Sequence, residues 1–568
     1  MTADLVIRGG TVIDGSGSPA RTADVAITDG RVTEVGRVAD KGRREIDTSG
    51  ALITPGFVDI HTHYDAQATW DERLAPSTSH GVTTVVAGNC GVGFAPVRAA
   101  DRTMLVELME GVEDLPGVVL EEGLSWEWES IGDYLDFLDR RQFDADLAAQ
   151  VCHAPVRVYV MGERGANREA ATPDDIAAMA AIVTEGIRAG ALGFTTSRTL
   201  NHRTSRGEPT PTLTAAREEL VGLARGVGDA GAGVLQVVSD FRADDEAGTL
   251  LEMMRASGRP LSFSLLQTEP GPRYRRQLAL LDQARAEGLE MRAQVAPRAV
   301  GVLIGLQASI NPLASCPTYQ PVAGLPVAEQ ARELSRLERR EQIRSELAES
   351  PTARWLHNMY ELGEPLDYEP TPDQSVARRA AALGVDPVDF YLDLLIEGGG
   401  TKLLYSPFLN YADNSLDPAA EMLAHPYAVP GLGDGGAHVG TICDASFPTS
   451  LLTHWGRDRT RGARFELPFL VHRQTRATAE AVGLLDRGLL APGYKADINV
   501  IDIDRLSLSA PRMAHDLPAG GRRLLQDATG YLHTFVSGVE ASSDGVDTGN
   551  RPGRLVRGQK ADPKEATR

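Results

Sequence analysis

The sequence predicts an α/β fold: a (β/α)8 TIM-like barrel with a small β-sandwich domain formed from both chain ends. Three observations predict this fold. Short β-prone runs alternate with turn signals at both ends of the chain, whereas apolar runs alternate with helix-like stretches between them. A pair of histidines also follows the first central strand, at the position where barrels place their active sites.

The β-rich ends are LVIRGGTV through ALITPG and, much later in the chain, GYKADINVIDIDRL and GYLHTFVSGVEASSDG. We expect them to pack together as one domain of residues 1–55 plus 482–568. Between them, HGVTTVVAG, GALGFTTS, GVLQVVSD and PLSFSLLQ alternate with stretches such as PDDIAAMAAIVTEGIRAG. Repeated βα units predict a parallel sheet covered by helices, and hence a barrel over 56–481 with insertions near 100–145 and 310–380.

The composition restricts the partners of the protein. The chain has 568 residues with 57 Lys+Arg and 78 Asp+Glu, so its formal net charge is −21. An acidic surface repels phosphate backbones and anionic lipids, which argues against nucleic-acid and membrane partners. We find neither a secretory signal nor an apolar stretch of the roughly 20 residues that span a bilayer. The 4 scattered cysteines predict a reducing, cytoplasmic location. Homo-oligomerisation stays open.

The segment ITPGFVDIHTHYDAQ carries the most informative motif. Residues two apart in a strand point to the same side, so His61 and His63 share one side with Asp59. Two imidazoles at a strand end offer two nitrogen ligands to one metal ion. Two unrelated surface histidines are the alternative, but the preceding Pro-Gly, the apolar strand and Asp59 favour a metal site.

Two later turns supply further candidate ligands. HGVTTVVAGNCGVGFAP is a β-branched strand that ends in a glycine-rich turn at Cys90, which offers a thiolate or is an ordinary buried cysteine. In AVPGLGDGGAHVGTICDAS, a short strand ends at Asp434 before two glycines, and an ordinary Asp-Gly turn is the alternative. Beside the histidine pair, Asp434 on a late strand is a natural metal ligand and proton carrier.

These segments resemble a known family. LVIRGGTVIDGSG, ITPGFVDIHTH, LGDGGAH and GLLAPGYKADINVID resemble the amidohydrolase superfamily, whose members combine a metal-bearing barrel with a β-sandwich built from both chain ends. GNCG, VCHAPVRVYVMG, GALGFTTS and the tail motifs DLPAGGRRLLQDATGYLHTFVSGV and TGNRPGRLVRG resemble its N-acyl-D-amino-acid deacylase (D-aminoacylase) branch. The resemblance implies that His61, His63 and Cys90 bind metal, with Cys90 replacing a carboxylated lysine as the bridge. It also implies that Asp434 is the catalytic aspartate.

The chain departs from this branch at two strands. The branch places two further histidine ligands on the fifth and sixth barrel strands, where this chain has GVLQVVSDF and LSFSLLQTE. Gln236 and Gln267 lie near those strand ends, and glutamine is a weak ligand for zinc compared with imidazole. The four ligands named above have the number and types required by one tetrahedral zinc ion, so we predict one divalent metal rather than two.

The predicted activity is metal-dependent hydrolysis of an amide C–N bond, with an N-acyl (D-)amino acid or a related small-molecule amide as the substrate. Asp434 would carry a proton from the attacking water to the leaving nitrogen. Polar residues near predicted strand ends are candidates for substrate binding, because arginine binds a carboxylate through two parallel hydrogen bonds. They are His153, Arg157, Arg198, His202, Arg298 and His438. An ordinary salt bridge or hydrogen bond is an equal alternative for each of them.

Two other functions stay open. The amidohydrolase superfamily also acts on cyclic amides, lactones and other C–N bonds, and the fold alone does not decide the reaction. Some barrels related to hydantoinases have lost their metal and act as non-catalytic scaffolds. The convergent groups His61, His63 and Asp434 favour an enzyme, because a scaffold needs no such cluster.

Overall fold

The computed structural model describes residues 2–242, 245–348 and 350–565. Strands and helices alternate along much of the chain, which confirms the predicted α/β class. Residues 1, 243–244, 349 and 566–568 fall within the predicted domains and lie outside the described residues.

The strands, in chain order, are β1 Leu5–Val12, β2 Arg21–Thr28, β3 Arg31–Gly36, β4 Arg44–Asp47, β5 Leu52–Pro55, β6 Phe57–Asp59, β7 Val82–Ala87, β8 Asp146–Ala149, β9 Val151–Cys152, β10 Gly193–Arg198, β11 Val234–Ser239, β12 Leu261–Leu265, β13 Met291–Val295, β14 Val300–Ile304, β15 Leu404–Leu409, β16 Ala428–Pro430, β17 Ile498–Ile501, β18 Ser507–Leu508, β19 Arg512–Leu517, β20 Gly521–Leu525, β21 Ala528–Thr529, β22 Tyr531–Val536, β23 Val539–Ser543 and β24 Val546–Asp547.

The α-helices are α1 Gln67–Trp70, α2 Arg102–Glu113, α3 Gly117–Gly123, α4 Ile131–Asp139, α5 His153–Met161, α6 Glu163–Ala166, α7 Pro173–Ala189, α8 Arg217–Ala230, α9 Glu246–Ser257, α10 Arg275–Ala286, α11 Val327–Leu334, α12 Leu337–Ala348, α13 Val376–Leu383, α14 Pro387–Gly400, α15 Asp417–Ala424, α16 Phe447–Ser450, α17 Leu467–His472 and α18 Thr478–Ala481. Within the described ranges, we find no helix with the length and apolar character needed to cross a lipid bilayer.

Both chain ends contribute to one 9-stranded sheet. Its order is β24-β23-β22-β17-β5-β1-β2-β3, with β4 paired to β1. Strand β5 from the first end pairs antiparallel with β17 from the second, and Ile53 lies opposite Val500. Ile7, Val25 and Phe535 belong to the same buried cluster as this pair. The ends come together because each of them alone would leave an apolar sheet face in water.

The central strands form two parallel sheets. One has the order β16-β13-β12-β11-β10-β9 and the other has the order β6-β7-β8. Only Gln150 separates β8 from β9, so the two sheets are connected at one side. At the other side, a parallel bridge joins Thr62 to Gly435, whose carbonyl accepts a hydrogen bond from the His63 N–H at 2.8 Å. The first and the last central strands therefore lie next to each other just beyond their carboxyl ends.

Helix α7 illustrates how the sequence sets the ends of a helix. Thr172 and Asp175 exchange side-chain-to-backbone hydrogen bonds at its first turn, and Pro173 occupies the first helical position. Gly190 ends the helix with a φ of 116°, a backbone conformation that favours glycine. The helix covers the stretch PDDIAAMAAIVTEGIRAG, for which the sequence predicts one.

The segments predicted as insertions are mostly helical. Helices α2, α3 and α4 occupy the first, and several of their apolar residues join the main buried cluster. The second contains α11 and α12, and its separate core includes Ile343 and Met359 and extends to Tyr391 of α14, beyond residue 380. The first of these segments is thus packed onto the core that surrounds the central strands.

Candidate metal centre

The His-x-His pair lies just after β6. Both side chains are buried, with 1% of His61 and 0% of His63 exposed. His61 Nδ1 lies 2.6 Å from Gln294 Oε1 on β13, and His61 Nε2 lies 3.4 Å from both Cys90 Sγ and Asp434 Oδ1. His63 Nε2 lies 3.5 Å from the same Asp434 oxygen. The two imidazoles therefore direct their Nε2 atoms toward one carboxylate, on the shared side that strand alternation predicts.

Cys90 lies in the glycine-rich turn after β7. Its backbone adopts the left-handed conformation, with a φ of 56°. A Cβ at Gly91 would lie 2.8 Å from the Thr196 Cα, so only glycine allows the turn to approach β10 this closely. Close packing of the turn against β10 holds the Cys90 sulfur beside His61.

Asp434 lies in a loop with a strained backbone after β16. Leu432, Asp434 and His438 all have positive φ values, of 62°, 48° and 49°. Such residues each cost roughly 1 kcal/mol or more and concentrate at functional sites. The Asp434 N–H donates a hydrogen bond to the His61 carbonyl at 3.1 Å, which fixes the loop against the first central strand.

The donor set and its spacing fit a tetrahedral zinc ion. His61, His63 and Cys90 each offer one ligand atom, and these atoms all lie within 4.8 Å of one another. Pairs of ligands around tetrahedral zinc lie about 3.5 Å apart at the usual Zn–N and Zn–S bond lengths. Both ring nitrogens of His63 are buried and have no hydrogen-bond partner among the described residues. Buried polar atoms are rarely left in this state, and a metal ion would satisfy one of the two.

Burial sets the protonation of these four groups. It lowers the pKa of His63 to about 4 and also lowers the pKa of His61, so both imidazoles are neutral at pH 7. Burial by itself would raise the pKa of Asp434, but contacts with His63 and His61 outweigh it and hold that pKa below its usual range. Burial raises the pKa of the Cys90 thiol. A divalent cation has the opposite effect, because it stabilises the thiolate.

A cavity of about 310 Å³ opens beside the candidate ligands, and His61, Cys90 and Asp434 line it. Much of the remaining wall is apolar. Its apolar side chains include Val112, Phe241, Leu265, Val302, Ile310 and Leu432. A cavity of this size accommodates a small organic molecule, so a substrate can reach the candidate metal centre.

Two of the six residues predicted to bind substrate, His202 and His438, line this cavity. His202 Nδ1 shares a hydrogen bond with Ser197 Oγ at 2.8 Å, and burial lowers the pKa of His202 to about 3. The other four predicted residues are not part of the described cavity wall.

His153 and Arg157 belong to a buried hydrogen-bond network around Glu219. His153 Nε2 lies 3.0 Å from Glu219 Oε1, and its Nδ1 lies 2.8 Å from Thr196 Oγ1. Arg157 Nε donates to the same carboxylate oxygen at 2.8 Å. These side chains hold α5, β10 and α8 together, so their position does not support contact with a substrate.

The remaining two arginines have buried partners of their own. Arg198 Nε donates to Glu246 Oε1 at 2.8 Å. Arg298 donates to Asp444 Oδ1 at 3.1 Å, and its guanidinium lies 3.8 Å from the centroid of the Tyr368 ring. A guanidinium already paired with a carboxylate has less capacity to bind a substrate carboxylate, and no sequence pattern indicates these distant partners.

The two glutamines near the fifth and sixth central strands differ in their surroundings. Gln267 Nε2 donates to Asp413 Oδ2 at 2.6 Å, and its Oε1 accepts from the Ala412 N–H at 3.2 Å. Both ends of the Gln267 amide are therefore hydrogen-bonded to the segment after β15. Gln236, on β11, is buried, and within the described chain both atoms of its amide group are without a hydrogen-bond partner.

Glu113, the last residue of α2, was not predicted from the sequence as part of the site. Its side chain is 1% exposed, with Oε1 3.3 Å from His63 Nδ1 and Oε2 3.4 Å from His438 Nε2. Burial, with the neighbouring Asp434 and Asp65 carboxylates, raises the pKa of Glu113 well above its usual value. The sequence signal that could have identified Glu113 is its position beside Val112 on the apolar side of a helix.

Comparison with known proteins defines the class. The model of the amidohydrolase family matches residues 44–541, and the chain belongs to this family. An N-acyl-D-glutamate deacylase of Alcaligenes xylosoxydans xylosoxydans is 26% identical over 569 residues, which cover 98% of this chain and 96% of the relative. A D-aminoacylase of the same organism is 37% identical over 194 residues, which are 34% of this chain and 37% of that relative.

The solved structures agree with this result. The N-acyl-D-glutamate deacylase of Bordetella bronchiseptica, in complex with zinc and a phosphonate mimic of the tetrahedral intermediate, superposes with a TM-score of 0.64 at 25% identity. The match covers 98% of this chain and 100% of that one. Within the amidohydrolases, the chain is a member of the D-aminoacylase family and a hydrolase of carbon–nitrogen bonds other than peptide bonds. This result leaves the non-catalytic scaffold without support.

Proposed function

We propose that the protein is a zinc-dependent deacylase that hydrolyses the amide bond of an N-acyl (D-)amino acid or a related amide. The observation that carries the proposal is the cluster of His61, His63, Cys90 and Asp434, whose closest contacts measure 3.4 to 3.5 Å, beside a cavity. Four ligands of these types favour one zinc ion rather than two. The zinc in the similar N-acyl-D-glutamate deacylase supports both the metal and the substrate class.

Each side chain of the cluster has a distinct task in the proposed reaction. His61, His63 and Cys90 would hold the ion, which when bound polarises the acyl carbonyl and makes a water molecule more acidic. Asp434 would orient the attacking water, accept its proton and return it to the departing nitrogen. An amine leaves poorly unless it is protonated, so the carboxylate is needed for this transfer.

We assign substrate contact to His202 and His438, because both line the cavity that the candidate ligands share. His438 lies four residues after Asp434 in the strained loop, which would place a substrate contact beside the proton carrier. The placement of the other four predicted residues in buried networks supports a structural role for them.

We also propose that the central strands close into the (β/α)8 barrel. The parallel bridge between Thr62 and Gly435 supports closure between β6 and the end of β16. The shared 9-stranded sheet supports a β-sandwich domain of 1–55 plus 482–568 beside a barrel of 56–481 with insertions near 100–145 and 310–380. All 4 cysteines are buried and unpaired, which supports our expectation of a cytoplasmic location.

Metal content is the direct test of the proposed centre. Protein purified without chelator is expected to contain about one zinc ion per chain. The His61→Ala variant is expected to lose it, whereas His515→Ala, which changes an exposed histidine of β19, is expected to keep it. Two ions per chain would contradict the single site, and no zinc in wild-type protein after reconstitution would contradict the proposal altogether.

A second candidate function is hydrolysis of an amide without a carboxylate, such as a cyclic amide, or of a lactone. The observation that favours it is the placement of the cations. In the described wall of the cavity, Arg273 is the one arginine, and it already pairs with Glu269 at 3.2 Å. An N-acyl amino acid would bring a carboxylate that needs such a partner.

A matched substrate panel separates the two candidates. An N-acyl-D-amino acid, its L enantiomer, the carboxamide of each, a hydantoin and a lactone would be compared by kcat/KM with zinc-loaded protein. Preference for the free acid supports the deacylase, and preference for the carboxamide or a ring compound supports the second candidate. If the zinc-loaded protein hydrolyses none of these compounds, both are wrong.

A further inference from the structure

Glu113 contacts two histidines that belong to different parts of the site. Its Oε1 lies 3.3 Å from Nδ1 of the candidate ligand His63, and its Oε2 lies 3.4 Å from Nε2 of His438 on the cavity wall. The side chain is 1% exposed, and neither oxygen has a hydrogen-bond partner in the part of the chain that the structure describes. A buried carboxyl group in this state is unusual, and among the residues described by the structure only the two imidazoles lie within ion-pair distance of it.

The end of α2 is held firmly where these contacts occur. Asp114 ends the helix in the left-handed conformation with a φ of 50°, and its Oδ2 accepts a hydrogen bond from the Gly440 N–H at 3.1 Å. The Glu113 carbonyl accepts a hydrogen bond from the His438 N–H. On the other side, a Cβ at Gly111 would lie 2.1 Å from the carbonyl carbon of Thr204. The helix end is thus fixed between two loops, with little freedom to move Glu113.

The other candidate histidine has an equivalent partner. His61 Nδ1 lies 2.6 Å from Gln294 Oε1, and Gln294 Nε2 donates to Ser262 Oγ at 2.9 Å. Both imidazoles therefore place an oxygen acceptor at Nδ1 and direct Nε2 toward Asp434. Histidines that bind a metal usually donate their other ring N–H to such an acceptor, which fixes the tautomer and the ring orientation.

We propose that Glu113 is a positioning residue of the metal centre. With the metal bound, Glu113 would accept a hydrogen bond from the His63 Nδ1–H, whose nitrogen lies 3.3 Å away, and so leave His63 Nε2 free to bind the metal. Its second oxygen contacts His438 on the cavity wall, so the same carboxyl group also positions that residue. This role rests on the proposed zinc centre, and it makes one side chain of the first insertion common to metal binding and substrate binding.

Zinc affinity is the readout that tests this role. Glu113→Leu removes both acceptor oxygens without leaving a large cavity, and Glu113→Gln keeps one of them. Competition titration with a chromophoric chelator is expected to show a zinc Kd about 10 to 100 times higher for Glu113→Leu and a smaller increase for Glu113→Gln. The matched control is Glu110→Leu, three residues earlier in α2, whose carboxylate accepts from the Gly117 N–H at 2.8 Å. Its zinc Kd is expected to equal that of the wild type.

A double-mutant cycle shows whether Glu113 acts through His63. In a His63→Ala background, Glu113→Gln is expected to cause no further loss of zinc affinity, because the group that it orients is absent. The absorption spectrum of the cobalt-substituted protein is expected to change with Glu113→Gln and to stay unchanged with Glu110→Leu.

Three results would overturn the role of Glu113. They are an unchanged zinc Kd and cobalt spectrum in Glu113→Gln, an equal loss of affinity in the presence and absence of His63, or an equal loss in Glu110→Leu. If Glu113→Leu does not fold, Glu113→Gln alone decides the question. Wild-type protein that binds no zinc would instead overturn the metal centre itself, so the two failures are distinguishable.

Discussion

Two clusters of buried polar side chains in this protein differ in how completely their hydrogen bonds are formed. In the cluster around Glu219, His153 uses both ring nitrogens, and Arg157 donates to Glu219 and to the Gly165 carbonyl, each at 2.8 Å. At the candidate metal centre, neither the nitrogens of His63 nor the carboxyl oxygens of Glu113 have a hydrogen bond among the described residues.

This difference distinguishes side chains that stabilise the fold from side chains that bind a ligand or take part in a reaction. A complete network stabilises the fold, because breaking it leaves a buried charge unpaired. Incomplete hydrogen bonds and positive φ angles beside a cavity weaken the fold, and proteins retain them where a ligand or a reaction needs them. We therefore expect changes at the candidate metal centre to affect activity more than stability, and changes at Glu219 to do the reverse.

The largest expected effect is that of Asp434→Asn on activity. We expect kcat to fall by about 10² to 10⁴, because the amide cannot carry the proton from water to the leaving nitrogen. Asparagine tolerates the left-handed backbone at this position, so the melting temperature is expected to stay close to that of the wild type. The measurements are kcat on the best amide of the panel and a thermal melt.

The control is Asp29→Asn, which makes the same change at an exposed residue with a φ of 50° in the turn between β2 and β3. It is expected to leave kcat unchanged. Near-normal turnover by Asp434→Asn would contradict the role of this carboxylate.

Glu219→Gln is expected to act on stability instead. Removing this carboxylate leaves Arg157 buried at 0% exposure without its partner, which costs about 3 kcal/mol of unfolding free energy. Denaturant unfolding measures this loss, with the exposed pair Arg140–Glu127 as reference, because Glu127→Gln is expected to cost less than about 1 kcal/mol. Equal losses in the two variants would remove the distinction drawn between the clusters.

The smallest effect is the dependence of that stability on pH. Burial would raise the pKa of Glu219, but hydrogen bonds and charge from His153 and Arg157 outweigh it and lower the pKa to about 2 from 4.5. Because the folded-state pKa is depressed, this group stabilises the fold fully above pH 4.5 and loses its contribution as the pH falls toward 2. The full contribution is about 3 kcal/mol, and only part of it is lost between pH 6 and the onset of acid unfolding, which makes this the smallest of the three effects.

Unfolding free energy measured between pH 6 and the onset of acid unfolding tests this linkage. We expect a shallower acid slope in Glu219→Gln than in the wild type, and an unchanged slope in Glu127→Gln. Identical slopes in all three proteins would show that Glu219 keeps an ordinary pKa in the fold.

The sequence predicted the candidate ligands that follow strands. It did not predict Glu113, which lies at the end of a helix. His61 and His63 share a side because strand geometry alternates every residue, and this holds wherever the strand lies. The turns at Cys90 and Asp434 were recognisable from their flanking glycines. The arginines were a different case, because a sequence pattern does not show whether a guanidinium already has a buried partner.

The order of strands and helices along the chain was likewise available from apolar periodicity, and it gave the α/β class. That periodicity is local, since each strand or helix must bury its own apolar side.

Only the tertiary structure decided which distant groups meet around the candidate ligands. Glu113 reaches His63 because the end of α2 docks on the loop that contains His438 and Gly440, more than three hundred residues later in the chain. Contacts of this kind depend on the packing of whole elements and leave no periodic signal in the sequence. The sequence alone thus determined the candidate ligands that a single strand or turn presents, and the packed fold determined their partners, because local backbone geometry is encoded residue by residue and long-range docking is not.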